Sequence, residues 1–108
     1  METTNLFTEA PFNPDSEYLD RILEKPGLKL ERIVSHGHRT PDGEWYDQAA
    51  DEWVVLLSGA ATLLFEKDNQ LIEMNPGDHI LIPAHCRHRV ERTEENRESV
   101  WLALHVTS

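Results

Sequence analysis

Fifteen consecutive residues, Pro76 to Val90 (PGDHILIPAHCRHRV), hold three of the six histidines of the chain and its only cysteine. Imidazole is the commonest protein metal ligand, and a thiol next to His85 and Arg87 has positive charge nearby that favours the nucleophilic thiolate. The stretch therefore admits a metal centre, an activated Cys86, or a plain strand, turn and strand. Neighbours in an extended chain point to opposite faces, so adjacency alone does not bring His85 and Arg87 to the Cys86 sulfur. Parity also separates the histidines: His79 starts one strand, His85 falls in a turn, and His88 starts the next strand on the face shared with Val90. Elsewhere, Glu52 shares a face with Val54 and Leu56 in EWVVLLSG. A carboxylate among apolar side chains needs a cation, a hydrogen-bond partner or a proton. Glu52 and His88 are thus the two groups most apt for chemistry.

The elements that must position them are mostly strands. LKLERIVSHG, EWVVLLSG, AATLLFEK, QLIEM, DHILIPA, RHRVERT and SVWLALHV are separated by strong turn signals. Ser58-Gly59 and Asp68-Asn69 suit hairpins, and Asn75-Pro76-Gly77-Asp78 suits a type II turn. This spacing predicts an all-β sandwich or barrel. Ahead of it, residues 1–14 read as an arm with Pro11 and Pro14, and SEYLDRILEK reads as a short helix capped by Ser16 and stopped by Pro26-Gly27. The expected organisation is one domain, with arm and helix over 1–27 and the barrel over 28–108. In EWVVLLSG the second face, Trp53, Val55 and Leu57, is apolar as well. Something must cover it, and a homodimer with help from the arm is expected.

A chain of 108 residues with 39% apolar content supports one modest core. The formal net charge of −10 disfavours nucleic acid and anionic membrane surfaces, which would be approached against repulsion. No apolar run is long enough to span a bilayer, and the N-terminus is acidic and mixed, so a soluble chain without a leader is expected. One cysteine fits a reducing cytoplasm.

The turns and spacings resemble those of the cupins, small jelly-roll barrels. Their second motif, G-x5-P-x-G-x2-H-x3-N, is matched by Gly77, Pro83 and His88, with His85 at the glycine and Arg92 at the asparagine. Their first, G-x5-H-x-H-x3/4-E-x6-G, is matched at its end by Glu52 and Gly59. Counted back from Glu52, its two histidine positions hold Trp45 and Asp47; the tripeptide His36-Gly37-His38 lies earlier, before the loop RTPDGEWYDQAAD. The resemblance covers roughly residues 28–106 and implies a jelly-roll (double-stranded β-helix) barrel.

The resemblance also implies a site at the barrel mouth. Asp47 stands where an imidazole is expected, so a divalent transition metal would be held by His88, Glu52, Asp47 and His85, with His38 and His36 as further candidates. Imidazole mixed with carboxylate suits Fe, Mn, Ni or Zn. Without an ion, His88 would hydrogen-bond Glu52, Asp47 would cap a loop turn, and the HGH tripeptide would be a solvated turn. Trp45 and Tyr46, with His38, are candidate walls of a small-molecule pocket; the alternative is that the rings plug the barrel. Trp101, His79 and His105 read as structural. The implied function is a metal-dependent oxygenase or isomerase on a small organic substrate, with Glu52 moving protons; the alternatives are a cupin that binds a sugar or organic acid without turnover, or a structural dimer.

Overall fold

The computed structural model describes residues 1–107. Eight strands follow one another: β1 (Tyr18–Lys25), β2 (Leu28–Ser35), β3 (Asp51–Ser58), β4 (Ala61–Phe65), β5 (Gln70–Met74), β6 (His79–Ile82), β7 (His88–Thr93) and β8 (Ser99–Val106). They form a five-stranded sheet in the order β1-β2-β8-β3-β6 and a three-stranded sheet in the order β5-β4-β7. Every pairing is antiparallel. The core lies between the sheets, where Val54, Leu56, Trp101 and Ala103 of the larger meet Leu63, Phe65 and Met74 of the smaller. This is the expected jelly roll, with its two sheets facing each other and not joined in one ring of hydrogen bonds.

The turns obey their sequence. Gly77 has φ 92° and Asp78 N–H donates to Asn75 C=O at 2.9 Å, as a type II turn over Asn75–Asp78 requires. Gly59 has φ 88°, and a Cβ there would lie 2.5 Å from Ser99 Cα, so the β3–β4 turn needs glycine for two reasons.

The expected helix over SEYLDRILEK is wrong. The segment is the edge strand β1, paired with β2 from Tyr18↔Val34 to Lys25↔Leu28. Leu19, Ile22 and Leu23 have helical spacing, but a register shift between Arg21 and Leu23 accommodates it within a strand. An isolated helix of this length cannot recover its nucleation cost, whereas the exposed edge of β2 offers a hydrogen-bonding partner along the whole segment.

The arm lies against the outer face of the larger sheet, where Ala10 packs with Val34 and Val100, flanked by Tyr18 and Leu57. Buried Arg32 holds it there, donating through Nη1 to Leu6 C=O at 3.0 Å and Thr8 C=O at 2.7 Å, while Nε and Nη2 reach Asp20 Oδ2 at 2.9 and 2.6 Å. At the other end of that face, strand register aligns Leu81, Trp53, Leu104, Leu30 and Leu23 in one row across all five strands.

Candidate functional site

Register on the inner face brings the polar groups together. β8 sends Trp101, Ala103 and His105 inward; His105 is directly opposite Glu52 of β3 and Lys29 of β2, and Ala103 is opposite Glu31. His88 enters from β7 of the opposing sheet, between the rings of Phe65 and Tyr46, whose centroids lie 5.8 and 5.6 Å from its own. The result is an alternating chain of carboxylates and imidazoles. Glu31 Oε1 lies 3.2 Å from His105 Nε2, which lies 3.9 Å from Glu52 Oε2, and Glu52 Oε1 lies 3.3 Å from His88 Nε2.

These groups line a cavity of about 140 Å³, walled by aliphatic side chains such as Ile33, Val54 and Leu63, with Tyr46, Gln48 and Trp101. Among the described residues no lysine or arginine lines it. Trp101 is held in place by its indole N–H, which donates to Ser35 Oγ at 3.2 Å.

His88 is 6% exposed, and its orientation is fixed from both ends. Nδ1–H donates to Cys86 C=O at 2.9 Å, so Nε2 is the nitrogen that faces Glu52 and the cavity. Burial is the largest single influence on its proton and opposes the charged form. The Glu52 hydrogen bond, the Cys86 carbonyl and the Glu52 charge together outweigh burial, and His88 sits above its ordinary value of 6.5. Burial, then the Glu17 charge, hold the Tyr46 phenol above its ordinary range, so its hydroxyl keeps its proton near neutral pH.

The wall that carries Tyr46 is the long loop before β3. It is stitched to β7 and to the β6–β7 turn: Thr40 N–H donates to Val90 C=O at 2.9 Å, Tyr46 and His88 exchange backbone hydrogen bonds at 2.7 and 3.1 Å, and His85 N–H donates to Gln48 C=O at 2.7 Å. His85 has φ 62°, the backbone conformation that a glycine would adopt more easily.

Of the residues expected in the site, Glu52, His88 and Tyr46 line the cavity, and Asp47, His85, Trp45 and His38 do not. Asp47 Oδ1 instead pairs with His85 Nδ1 at 2.8 Å on the surface, with side-chain exposures of 44% and 69%. Trp45 is approached by Arg87 and Arg89, their guanidinium carbons 5.9 and 5.7 Å from its ring centroid. His38 holds the arm, its Nε2 2.6 Å from Asn13 C=O, and His36 Nε2 lies 2.9 Å from Glu95 C=O. The pair that enters from the loop is Tyr46 and Gln48, one residue beyond Trp45 and Asp47. Glu31, Gln48 and His105 were not expected there. The signal for His105 was its shared parity with Trp101, and for Glu31 its shared parity with Ile33.

This donor set does not form the expected metal shell. At the two loop positions a protonated phenol and a neutral amide replace imidazoles, and among the described residues no three His, Cys, Asp or Glu side chains are arranged to hold one ion.

The comparisons with known proteins agree with this architecture. The family profile described as "Cupin domain" matches residues 32–105. The chain is a cupin. Its fold is shared with a crystal structure from Ralstonia eutropha JMP134, provisionally assigned as a mannose-6-phosphate isomerase, at 44% identity over 100% of both chains and a TM-score of 0.93. An RmlC-like cupin from Desulfovibrio desulfuricans aligns at 16% identity over 98% of this chain and 96% of that one, with a TM-score of 0.78. The TT1209 protein from Thermus thermophilus aligns at 17% identity over 99% and 98%, with a TM-score of 0.79. No curated protein matches the sequence. Among the described residues no helix is long and apolar enough to cross a membrane.

Proposed function

We propose that this cupin is an isomerase-type enzyme that moves a proton between adjacent carbons of a small hydroxycarbonyl compound, with Glu52 as base and His88 as acid. The observation that carries the reading is the buried His88–Glu52 pair at 3.3 Å, facing a cavity between aromatic rings. Glu52 carboxylate takes the proton from the carbon bearing the hydroxyl. The C–H electron pair becomes the C=C bond of an enediol, and the carbonyl oxygen takes the Nε2 proton of His88. Return of the proton to the former carbonyl carbon, with loss of the neighbouring hydroxyl proton to His88, completes the exchange without any co-reactant. The raised proton affinity of His88 favours its acid form. The isomerase assignment of the Ralstonia eutropha relative supports the reaction class.

Solvent exchange tests this directly. In D₂O the protein should accelerate deuterium incorporation at the carbon next to the carbonyl of glyceraldehyde or erythrose, followed by proton NMR. Glu52→Gln and His88→Gln should each lose about 10²- to 10⁴-fold of that rate. Binding without exchange would leave a cupin that holds its ligand unchanged, and the enzyme reading would fall.

A homodimer completes the proposal. Its support is the outward row Leu81, Trp53, Leu104, Leu30 and Leu23, in which Leu81 is 60% and Leu23 43% exposed. Light scattering should give twice the chain mass, and Trp53→Glu should halve it. A cytoplasmic location belongs to the same reading and is supported by the single free thiol, Cys86.

A further inference from the structure

Glu17, Glu31 and Glu52 line the inner cavity, and two of these carboxylates have basic partners. Glu52 has His88 at 3.3 Å and His105 at 3.9 Å. Glu31 has His105 at 3.2 Å, and Arg21 and Lys29, which do not line the cavity, reach its other oxygen at 3.7 and 3.8 Å. Glu17, just ahead of β1, makes no ion pair among the described residues. Its Oε2 accepts a hydrogen bond from Ser35 Oγ, which itself accepts the Trp101 indole N–H at 3.2 Å. Ser35 is fully buried, so its one hydroxyl proton is committed to Glu17. Carboxylate, hydroxyl and indole thus hold one another in place, and the Glu17 charge acts on the Tyr46 phenol on the same cavity wall.

We propose that Glu17, Tyr46 and Trp101 form a seat for an ammonium group, and that the small molecule this cavity takes is a primary amine that also bears the hydroxycarbonyl function. The inference rests on the proton-transfer reading for what happens at the carbonyl; the cation seat stands on the cavity lining alone. Charge decides first. In an enclosed space walled by aliphatic side chains, a carboxylate without a counter-charge is costly, and a ligand cation relieves that cost where a neutral ligand does not. The same carboxylate repels an anion. The rings decide next, because aromatic side chains attract a cation placed over their faces, and a phenol and an indole line the cavity with Glu17. A bare metal ion is the poorer occupant: it needs three or more ligands around one point, and among the described residues no three His, Cys, Asp or Glu side chains are so arranged. An ammonium group is served by one carboxylate and neighbouring rings. Size sets the rest. A cavity of about 150 Å³ accommodates one benzene-sized molecule, so a space of about 140 Å³ takes an amine of about six non-hydrogen atoms. Its ammonium end faces Glu17 and its hydroxycarbonyl end faces Glu52 and His88, with Tyr46, whose phenol feels the charges of both glutamates, beside them.

The test is a matched set of small molecules of equal size, titrated into the intact protein by calorimetry near neutral pH: serinol, a cation; glycerol, neutral; and lactate, an anion. Serinol should bind at least about tenfold more tightly than glycerol, and lactate most weakly. Glu17→Gln keeps an acceptor for Ser35 and removes the charge, so in this variant the ratio of serinol to glycerol affinity should fall to about twofold or less. A net charge of −10 draws amines to the whole surface, so the position is read separately and without a variant. Intermolecular NOEs in the wild type should join the serinol methine proton to the rings of Tyr46 and Trp101. Equal binding of serinol and glycerol, binding of neither, tighter binding of lactate, a preference that survives Glu17→Gln, or NOEs confined to other residues would overturn the seat. Serinol and glycerol have no carbonyl, so deuterium exchange into glyceraldehyde is an independent measurement. Exchange with no amine preference removes the seat and keeps the proton transfer; an amine preference with no exchange does the reverse.

Discussion

Replacing Glu52 by glutamine keeps the side-chain shape and removes one charge beside His88. In the wild type three influences raise the proton affinity of His88 against its burial, and two of them come from Glu52. The variant leaves burial opposed chiefly by the Cys86 carbonyl, so His88 should fall below its ordinary value of 6.5. The two side chains are 7% and 12% exposed, so solvent screens the pair little. Loss of a charge-assisted hydrogen bond of this kind costs about 2 kcal/mol of folding free energy. The sign with pH follows from the raised value: the contribution is fully present below 6.5, where unfolded histidine is also protonated, and is lost as pH rises through the higher folded value. The stability gap between wild type and E52Q should therefore be about 2 kcal/mol near pH 6 and shrink towards pH 9. Histidine ring NMR would follow the titration, and urea unfolding at several pH values would follow the gap. An unchanged His88 titration in E52Q, or a gap that widens with pH, would refute the pairing.

Other perturbations separate structural from functional roles. Gly59→Ala combines a strained positive φ with a clash against Ser99 and should cost at least about 2 kcal/mol, read by denaturant unfolding. Arg32→Ala should free the arm and destabilise the fold by about 3 kcal/mol, with new protease cleavage before Ala10 as the local sign. Asp47→Ala removes an exposed pair and should change stability by less than about 1 kcal/mol and leave ligand binding in the cavity unaltered.

Much of the fold was legible because turns and alternation are local. Pro76-Gly77 fixes its turn whatever surrounds it, and the apolar alternation of EWVVLLSG marks a strand. The segment from Tyr18 to Lys25 was not legible, because its helical spacing is undone by a bulge whose reason is the waiting edge of β2. In the site, Glu52 and His88 were legible through parity with buried neighbours. Asp47 was misplaced by one residue, and a slip of one reverses the face in an extended chain. Glu31 and His105 needed the pairing of β2 with β8, a relation between residues far apart in sequence.

The stitching of the long loop to β7 bears on how a ligand is chosen. Tyr46 and Gln48 stand on backbone held at Thr40, Tyr46 and Gln48 itself, so this wall is set before anything enters. Little conformational entropy remains to be lost when the cavity fills, and little freedom remains to remould it around a misshapen guest. On the proposed reading, selectivity is then a matter of fit to a standing shape: a compound one carbon too bulky meets a wall already in place, where a mobile lid would have yielded to it.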